Sequence, residues 1–133
     1  MARLHAACFD TPRPWTETEF AGLLCLSGVF LCTDGESGFA LGRVLHDESE
    51  LLTLAVAPEA RRRGIGRRLL DGFEAQAAAA GASAAFLEVS AENRSAQQLY
   101  ETQGYRHAGR RKGYYRAPSG ERIDALILRR DLA

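Results

Sequence analysis

Ten residues, 58–67, concentrate the chemistry of this chain: Pro-Glu-Ala-Arg-Arg-Arg-Gly-Ile-Gly-Arg. Two glycines let a backbone bend and let a ligand approach closely. If a helix opens at Ile65, its first N–H groups have no intrachain partner and point outward, and the helix dipole adds about half a positive charge at the same place. Such a turn is a site for a phosphate or pyrophosphate, to which Arg62, Arg63 and Arg67 bring charge-assisted donors. The pattern is not a Walker loop, because the Gly-Lys-Ser/Thr ending is absent. Nor is it the dinucleotide fingerprint, because the third glycine is missing. A plain glycine turn and a solvated basic face are the competing readings. The placement of Arg-x-x-Gly-x-Gly after Leu54-Ala55-Val56-x-Pro58 and before an amphipathic run favours a ligand site.

The composition narrows the partners. The chain has 133 residues, 46% of them hydrophobic and 26% charged, so residues 1–133 suit one globular domain that needs no disulfide or metal staple. Seventeen basic and seventeen acidic side chains cancel, leaving no global field for nucleic acid or anionic lipid. A neutral protein with an arginine knot at 61–68 points to a compact polyanion, and a second cluster stands at Arg110, Arg111 and Lys112. No nucleic-acid or membrane partner is expected. The cysteines Cys8, Cys25 and Cys32 lack metal or redox spacing and are expected to be small buried hydrophobes. His5, His46 and His107 are scattered, so no metal site is expected, and no serine elbow or Cys/His pair suggests a hydrolase. The start lacks a signal peptide, and no run approaches the ~20 apolar residues of a membrane span. A cytoplasmic protein is expected.

The elements that must position these residues follow from local pattern. Residues 2–9 read as a short helix, and the Pro12/Pro14 turn cannot be helical. Thr16 with Glu19 forms a capping box for a helix over 16–27, with Phe20, Leu23 and Leu24 on one face. A strand at 29–32, turn chemistry at 34–37 and a strand at 38–45 make a hairpin. Residues 47–50 read as a further turn. Residues 51–56 are near-continuously apolar, as in a strand buried on both faces. Ile65, Leu69, Phe73, Ala77 and Ala80 recur at helical spacing over 65–80, and Gly81 ends that helix. A buried strand at 85–89, a helix from Asn93 to Gly104, and strands at 105–115 and 123–128 complete the chain. The unit from 51 to 89 must place its two strands in parallel. The fold class is therefore α/β (α+β), a mixed, mostly antiparallel sheet with helices on both faces.

These motifs together resemble the GCN5-related N-acetyltransferase (GNAT) superfamily. The Arg/Gly loop looks like its acyl-CoA loop, and Phe86-Leu87-Glu88-Val89, Asn93, Leu99-Tyr100-Glu101 and Gly104-Tyr105 look like its second motif. Arg110-Arg111-Lys112-Gly113-Tyr114-Tyr115, Asp124-Ala125, His5-Ala6 and Pro14-Trp15-Thr16 are similar to the RimI type, the ribosomal-protein-alanine N-acetyltransferases. The resemblance implies acetyl-CoA as co-substrate and no metal. It implies that Leu54, Ala55 and Val56 pair with the pantetheine arm as a further strand would. Residues 62–67, including Gly64, Ile65 and Gly66, would hold the pyrophosphate, and Asn93 would bond the pantetheine, unless it only caps its helix. Glu88 would be the general base and Tyr100 the general acid. Tyr114 and Tyr115 would line the acceptor groove. Plainer roles stand beside these: a carboxylate paired to an arginine, a core aromatic, ordinary strand aromatics. Family members usually open with a strand, so the first strand is expected to be missing here.

The implied activity is acetyl transfer to a protein N-terminus, possibly that of a ribosomal protein. The alternatives are a small-molecule amine or amino-acid acetyltransferase on the same fold, a non-catalytic acyl-CoA-binding module and, remotely, a nucleic-acid binder, for which the arginine knot lacks interleaved aromatics.

Overall fold

The computed structural model describes residues 16–35, 37–58 and 64–132. Among the described residues three helices and six strands follow one another as α1 (Glu17–Leu24), β1 (Val29–Asp34), β2 (Gly38–Leu45), β3 (Glu48–Val56), α2 (Ile65–Ala79), β4 (Ala84–Ser90), α3 (Arg94–Thr102), β5 (Arg106–Arg116) and β6 (Arg122–Asp131). The expected helix at 2–9 and the Pro12/Pro14 turn lie outside the described residues, as does Cys8. One sheet runs β1-β2-β3-β4-β6-β5. Every neighbouring pair is antiparallel except β3 and β4. That parallel pair is the expected consequence of a helical crossover returning the chain in its original direction.

Strand alternation assigns the two faces. On β2, Phe39 and Leu41 join Phe20 of α1 in a small core, and Phe39 meets the Phe20 ring edge-on at 5.6 Å. Ala40 joins the larger core beneath α2 and α3, with Leu69, Leu70, Phe73, Leu87, Tyr100 and Leu128. Helices therefore cover both faces, α1 on one side and α2 with α3 on the other. Leu70 and Phe73 are wholly inaccessible, each contributing about 1.5–3 kcal/mol through burial. Gly42 is the packing point between sheet and helix. A Cβ there would lie 2.5 Å from Phe73 and 2.7 Å from Phe30, and those two rings stack at 5.8 Å.

Several local expectations are corrected. The first helix stops at Leu24 rather than 27, with its Thr16 capping box intact. Of its apolar face only Phe20 is buried; Leu24 is 40% exposed, because among the described residues nothing covers it. Cys25, at the C-cap of α1, is exposed rather than a buried hydrophobe, while Cys32 is buried. The hairpin joining β2 to β3 turns at His46, in the left-handed region at φ 58°. Residues 48–50, read as turn, are therefore strand. Ala80 is an exposed C-cap, not a core residue of α2.

Glu74 holds the core face by polar contacts. It is buried on α2, accepts from Arg130 Nη1 of β6 at 2.7 Å, and accepts from Gln103 Nε2 at the end of α3 at 3.2 Å. Gln103 also donates to Asp71. One carboxylate thus ties two helices to a strand, where an unpaired buried charge would be costly.

Two substitutions test this account. Gly42→Ala overpacks the Phe30–Phe73 stack and should lower unfolding free energy in urea by about 1–3 kcal/mol. Glu74→Ala leaves Arg130 and Gln103 without their shared acceptor and should cost about 1–3 kcal/mol, with the slope against urea unchanged.

Candidate active site

The site is a gap in the sheet. Leu41 pairs with Thr53 while Gly42 pairs with Leu51, so Leu52 is an extra residue in β3. A bulge bends its strand and shifts the alternation of side chains. Accordingly Leu51 faces the core under α2, Leu52 and Ala55 face the α1 side, and Leu54 and Val56 return to the α2 side. β3 and β4 are paired only over Glu48–Leu51 and Ala84–Leu87. Beyond that point β3 keeps β2 on one side and faces a cleft on the other. The cleft has a volume of about 780 Å³ and is walled by β3, the end of β4, the start of α2 and one face of α3.

Each expected site residue within the described chain can be placed. Leu54, Ala55 and Val56 line the cleft. Ala55 is 1% exposed with its side chain in the α1 core, so it offers the cleft its backbone. Gly64, Ile65, Gly66 and Arg67 also line it. Gly64 is the N-cap of α2 at φ 74°, without a side-chain cap, which leaves the opening amides of the helix to a ligand. Ile65 is buried in the core. Gly66 lets α2 approach α3: a Cβ would lie 3.2 Å from Leu99 and 3.8 Å from Val56. Arg67 is exposed at the rim, whereas Arg68 turns away to Asp34 at 2.9 Å. Arg62 and Arg63 lie outside the described residues.

The chain between β4 and α3 forms the far wall. Asn93 caps α3, its Oδ1 accepting from Ala96 N at 3.2 Å and from Ser95 Oγ at 3.3 Å, and it lines the cleft as well. Gln97 Nε2 donates to the carbonyls of Ser90 and Ala91, at 2.9 and 3.1 Å. These contacts hold the end of β4, where β3 no longer supplies partners.

Glu88 stands one residue past the last β3–β4 pair and lines the cleft. Its side chain is 21% exposed, and Arg111 Nε lies 2.9 Å from its Oε1. The arginine-paired carboxylate weighed from sequence is therefore present at the residue proposed as base. Tyr100 reaches the cleft from α3 and is buried, edge-on to Tyr105 at 5.9 Å. Burial pushes its phenol well above the ordinary value of about 10, and proximity to Tyr115 adds to the rise. Tyr115 is raised too, by burial first and then by the Glu88 carboxylate. These couplings link Tyr115 to both groups. Tyr115 lines the cleft, but Tyr114 does not; it is half exposed, edge-on to Tyr115 at 5.1 Å.

The β5–β6 hairpin sets Arg111 and Tyr115. Arg111 pairs with Ala125 and Tyr115 with Ile123, so β5 holds three residues against the single Asp124. Gly113 takes the left-handed conformation this needs, at φ 59°. Asp124 Oδ1 accepts from Gly113 N at 2.8 Å and Oδ2 accepts from Arg110 Nε at 2.7 Å. The Gly113 amide first, then Arg110, hold its carboxyl below the ordinary range. Arg111 as the Glu88 partner had no signal in the sequence beyond membership of a basic cluster. Glu50, whose carboxyl is raised by burial and then by Glu88, was hidden in an expected turn.

The cleft suits an extended thioester carrier. It offers a strand edge, a glycine-opened helix start, and a carboxylate and a phenol where the strands part. Among the described residues no group of three or more His, Cys, Asp or Glu side chains could hold a metal ion, and no helix is long and apolar enough to cross a membrane.

The family model "Acetyltransferase (GNAT) family" matches residues 5–105. The ribosomal protein bS18-alanine N-acetyltransferase of Salmonella typhimurium is 36% identical over 118 residues, covering 86% of this chain and 79% of that protein. The crystal structure of the ribosomal-protein-S18-alanine N-acetyltransferase from Escherichia coli superposes with a TM-score of 0.87 at 30% identity, over 99% of this chain and 85% of that one. Arabidopsis thaliana NAA60 in complex with acetyl-CoA shares the fold, with a TM-score of 0.83 at 19% identity over 98% and 90% of the chains. A family match over three-quarters of the sequence, on a fold whose parted strands form the cleft, settles the assignment: this chain belongs to the GNAT family and is an N-acetyltransferase with acetyl-CoA as its co-substrate.

Proposed function

We propose that the chain acetylates the α-amine of a protein N-terminus, with a ribosomal protein as the acceptor class. The observation that carries the reading is the meeting of Glu88, Tyr100 and Tyr115 in one cleft where β3 and β4 part. The named activity of the relatives that match over most of their length supports the acceptor class.

The chemistry follows from what these residues can do. An ammonium has no lone pair with which to attack a thioester, so a proton must leave first. An α-amine with pKa about 8 is roughly one-tenth neutral at pH 7, whereas lysine at about 10.4 is less than a thousandth neutral. Glu88, directly or through one water, takes the proton as the C–N bond forms and the C–S bond breaks. Tyr100, kept protonated by its burial, donates to the departing sulfur and is reprotonated from solvent. The edge of Leu54, Ala55 and Val56 aligns the pantetheine arm. The opening turn of α2, with Arg62, Arg63 and Arg67, binds the diphosphate. Asn93 contributes to the pantetheine while capping its helix. Tyr115 shapes the approach of the acceptor, and Tyr114 packs behind it. The co-substrate supplies the activated acetyl group.

Glu88→Gln should lower kcat by roughly 10²–10⁴-fold while the affinity for acetyl-CoA, read by calorimetry, stays unchanged. Tyr100→Phe should lower kcat about tenfold or more without affecting acceptor KM. Because the Tyr100 phenol is raised, kcat should show no decline from its ionisation as pH climbs to about 10, where an ordinary phenol would begin to lose its proton. Thiol release with a panel of short peptides and free amines tests the acceptor. Turnover on peptides with a free small N-terminal residue is expected; turnover on free amines alone overturns the reading.

A further inference from the structure

We propose that Arg111 is a positioning residue that keeps the acceptor seat beside Glu88 electrically neutral, so that the seat retains the reactive uncharged amine rather than its ammonium form. The inference rests on Glu88 being the base.

The geometry is specific. The Arg111 guanidinium holds Glu88 Oε1 at 2.9 Å and lies over the Tyr114 ring, 5.3 Å from its centroid. Its position is not left to a free side chain. The three-residue excursion of β5 is pinned by Asp124 on both sides of Lys112, through Gly113 N and Arg110 Nε. Tyr114 is in turn packed edge-on against Tyr115, which lines the cleft. A guanidinium that is half exposed can rest on the aromatic face while its partner stays beside the reacting centre. This gives Tyr114, which does not line the cleft, a role in seating the cation.

The charges facing Glu88 decide what the seat prefers. From β3 comes Glu50, and from β2 comes Arg43 across from it. From β5 come Arg111 and Tyr115, while Arg129 of β6 covers Phe86 at 5.2 Å and is paired to Asp131. Glu50 and Glu88 lie on the same side of the sheet, opposite to Leu51, Leu87 and Val89. Without Arg111 an incoming acceptor would meet Glu88 unpaired, with Glu50 behind it balanced by Arg43 alone. A partly buried carboxylate attracts an ammonium and raises its pKa, which stabilises the unreactive ground state. With Arg111 in place the Glu88 pair is neutral, and the basicity of the acceptor itself decides which amine reacts. That condition favours α-amines over lysine side chains.

The test compares Arg111→Gln, Arg111→Lys and Glu50→Gln, each checked for melting temperature and acetyl-CoA affinity. In Arg111→Gln the acceptor KM should fall about three- to tenfold, kcat at pH 7 should fall about tenfold, and the acid limb of kcat should move up by about 0.5–1 pH unit. A joint fall in kcat and KM marks a ground state made too stable. Arg111→Lys should restore all three. Glu50→Gln removes a negative charge and should raise KM. Binding of the already acetylated peptide, which has no ammonium, should be the same in Arg111→Gln and the parent. An unchanged or higher KM in Arg111→Gln, or an unmoved acid limb, overturns the proposal. If Glu88→Gln keeps full kcat, the base reading falls instead; if Glu88→Gln is inactive while Arg111→Gln behaves as the parent, only the role of Arg111 falls.

Discussion

The cleft depends on one extra residue, Leu52, whose bulge bends β3 where its pairing with β4 ends. A sheet that stays fully paired satisfies its own backbone and leaves no edge for a ligand. The bulge at Leu52 ends the β3–β4 ladder after Leu51 and Leu87. It also turns Leu54 and Val56 to the side where α2 and α3 can close over a bound arm. The opened backbone and the gap between the strands form the cleft in which Glu88, Tyr100 and Tyr115 meet.

The elements around the gap hold it open with polar contacts placed where the ladder fails. Gln97 takes over carbonyls at the end of β4, and Asn93 caps the helix that leaves it. Asp124 fixes the excursion of β5 that brings Arg111 to Glu88 and Tyr115 to the cleft. On the far side of the core Glu74 ties α2 to Arg130 and Gln103. The aliphatic and aromatic core supplies most of the folding free energy, and these contacts decide which geometry that energy supports. Two chemical conditions result: a carboxylate that is ion-paired yet accessible at the parting of the strands, and a buried phenol that remains protonated.

Much of this was legible along the chain because it depends on local pattern. The Thr16 capping box, the apolar spacing of Ile65, Leu69, Phe73 and Ala77, and the Gly64/Gly66 opening of α2 all write themselves into neighbouring residues. The legible parts include the glycine-opened helix, the glutamate at a buried strand end and the tyrosine on the following helix. Less legible were the turn at His46, where a residue without the usual glycine or asparagine character takes positive φ, and the exposure of Leu24 and Cys25. In those places the outcome depended on what lies across the fold.

The sequence by itself determined the helices, most strands, the family-type motifs and the residue types able to carry acyl transfer, because capping, periodicity and glycine placement act over a few neighbouring residues. Only the tertiary structure decided that Leu52 is the bulged residue, that Glu88 is paired to Arg111 from a strand more than twenty positions away, that Tyr115 enters the cleft while Tyr114 stays outside it, and that Glu74 is a buried anchor. Register, strand divergence and long-range ion pairing are set by the balance of packing over the whole sheet, and no short stretch of chain contains that balance.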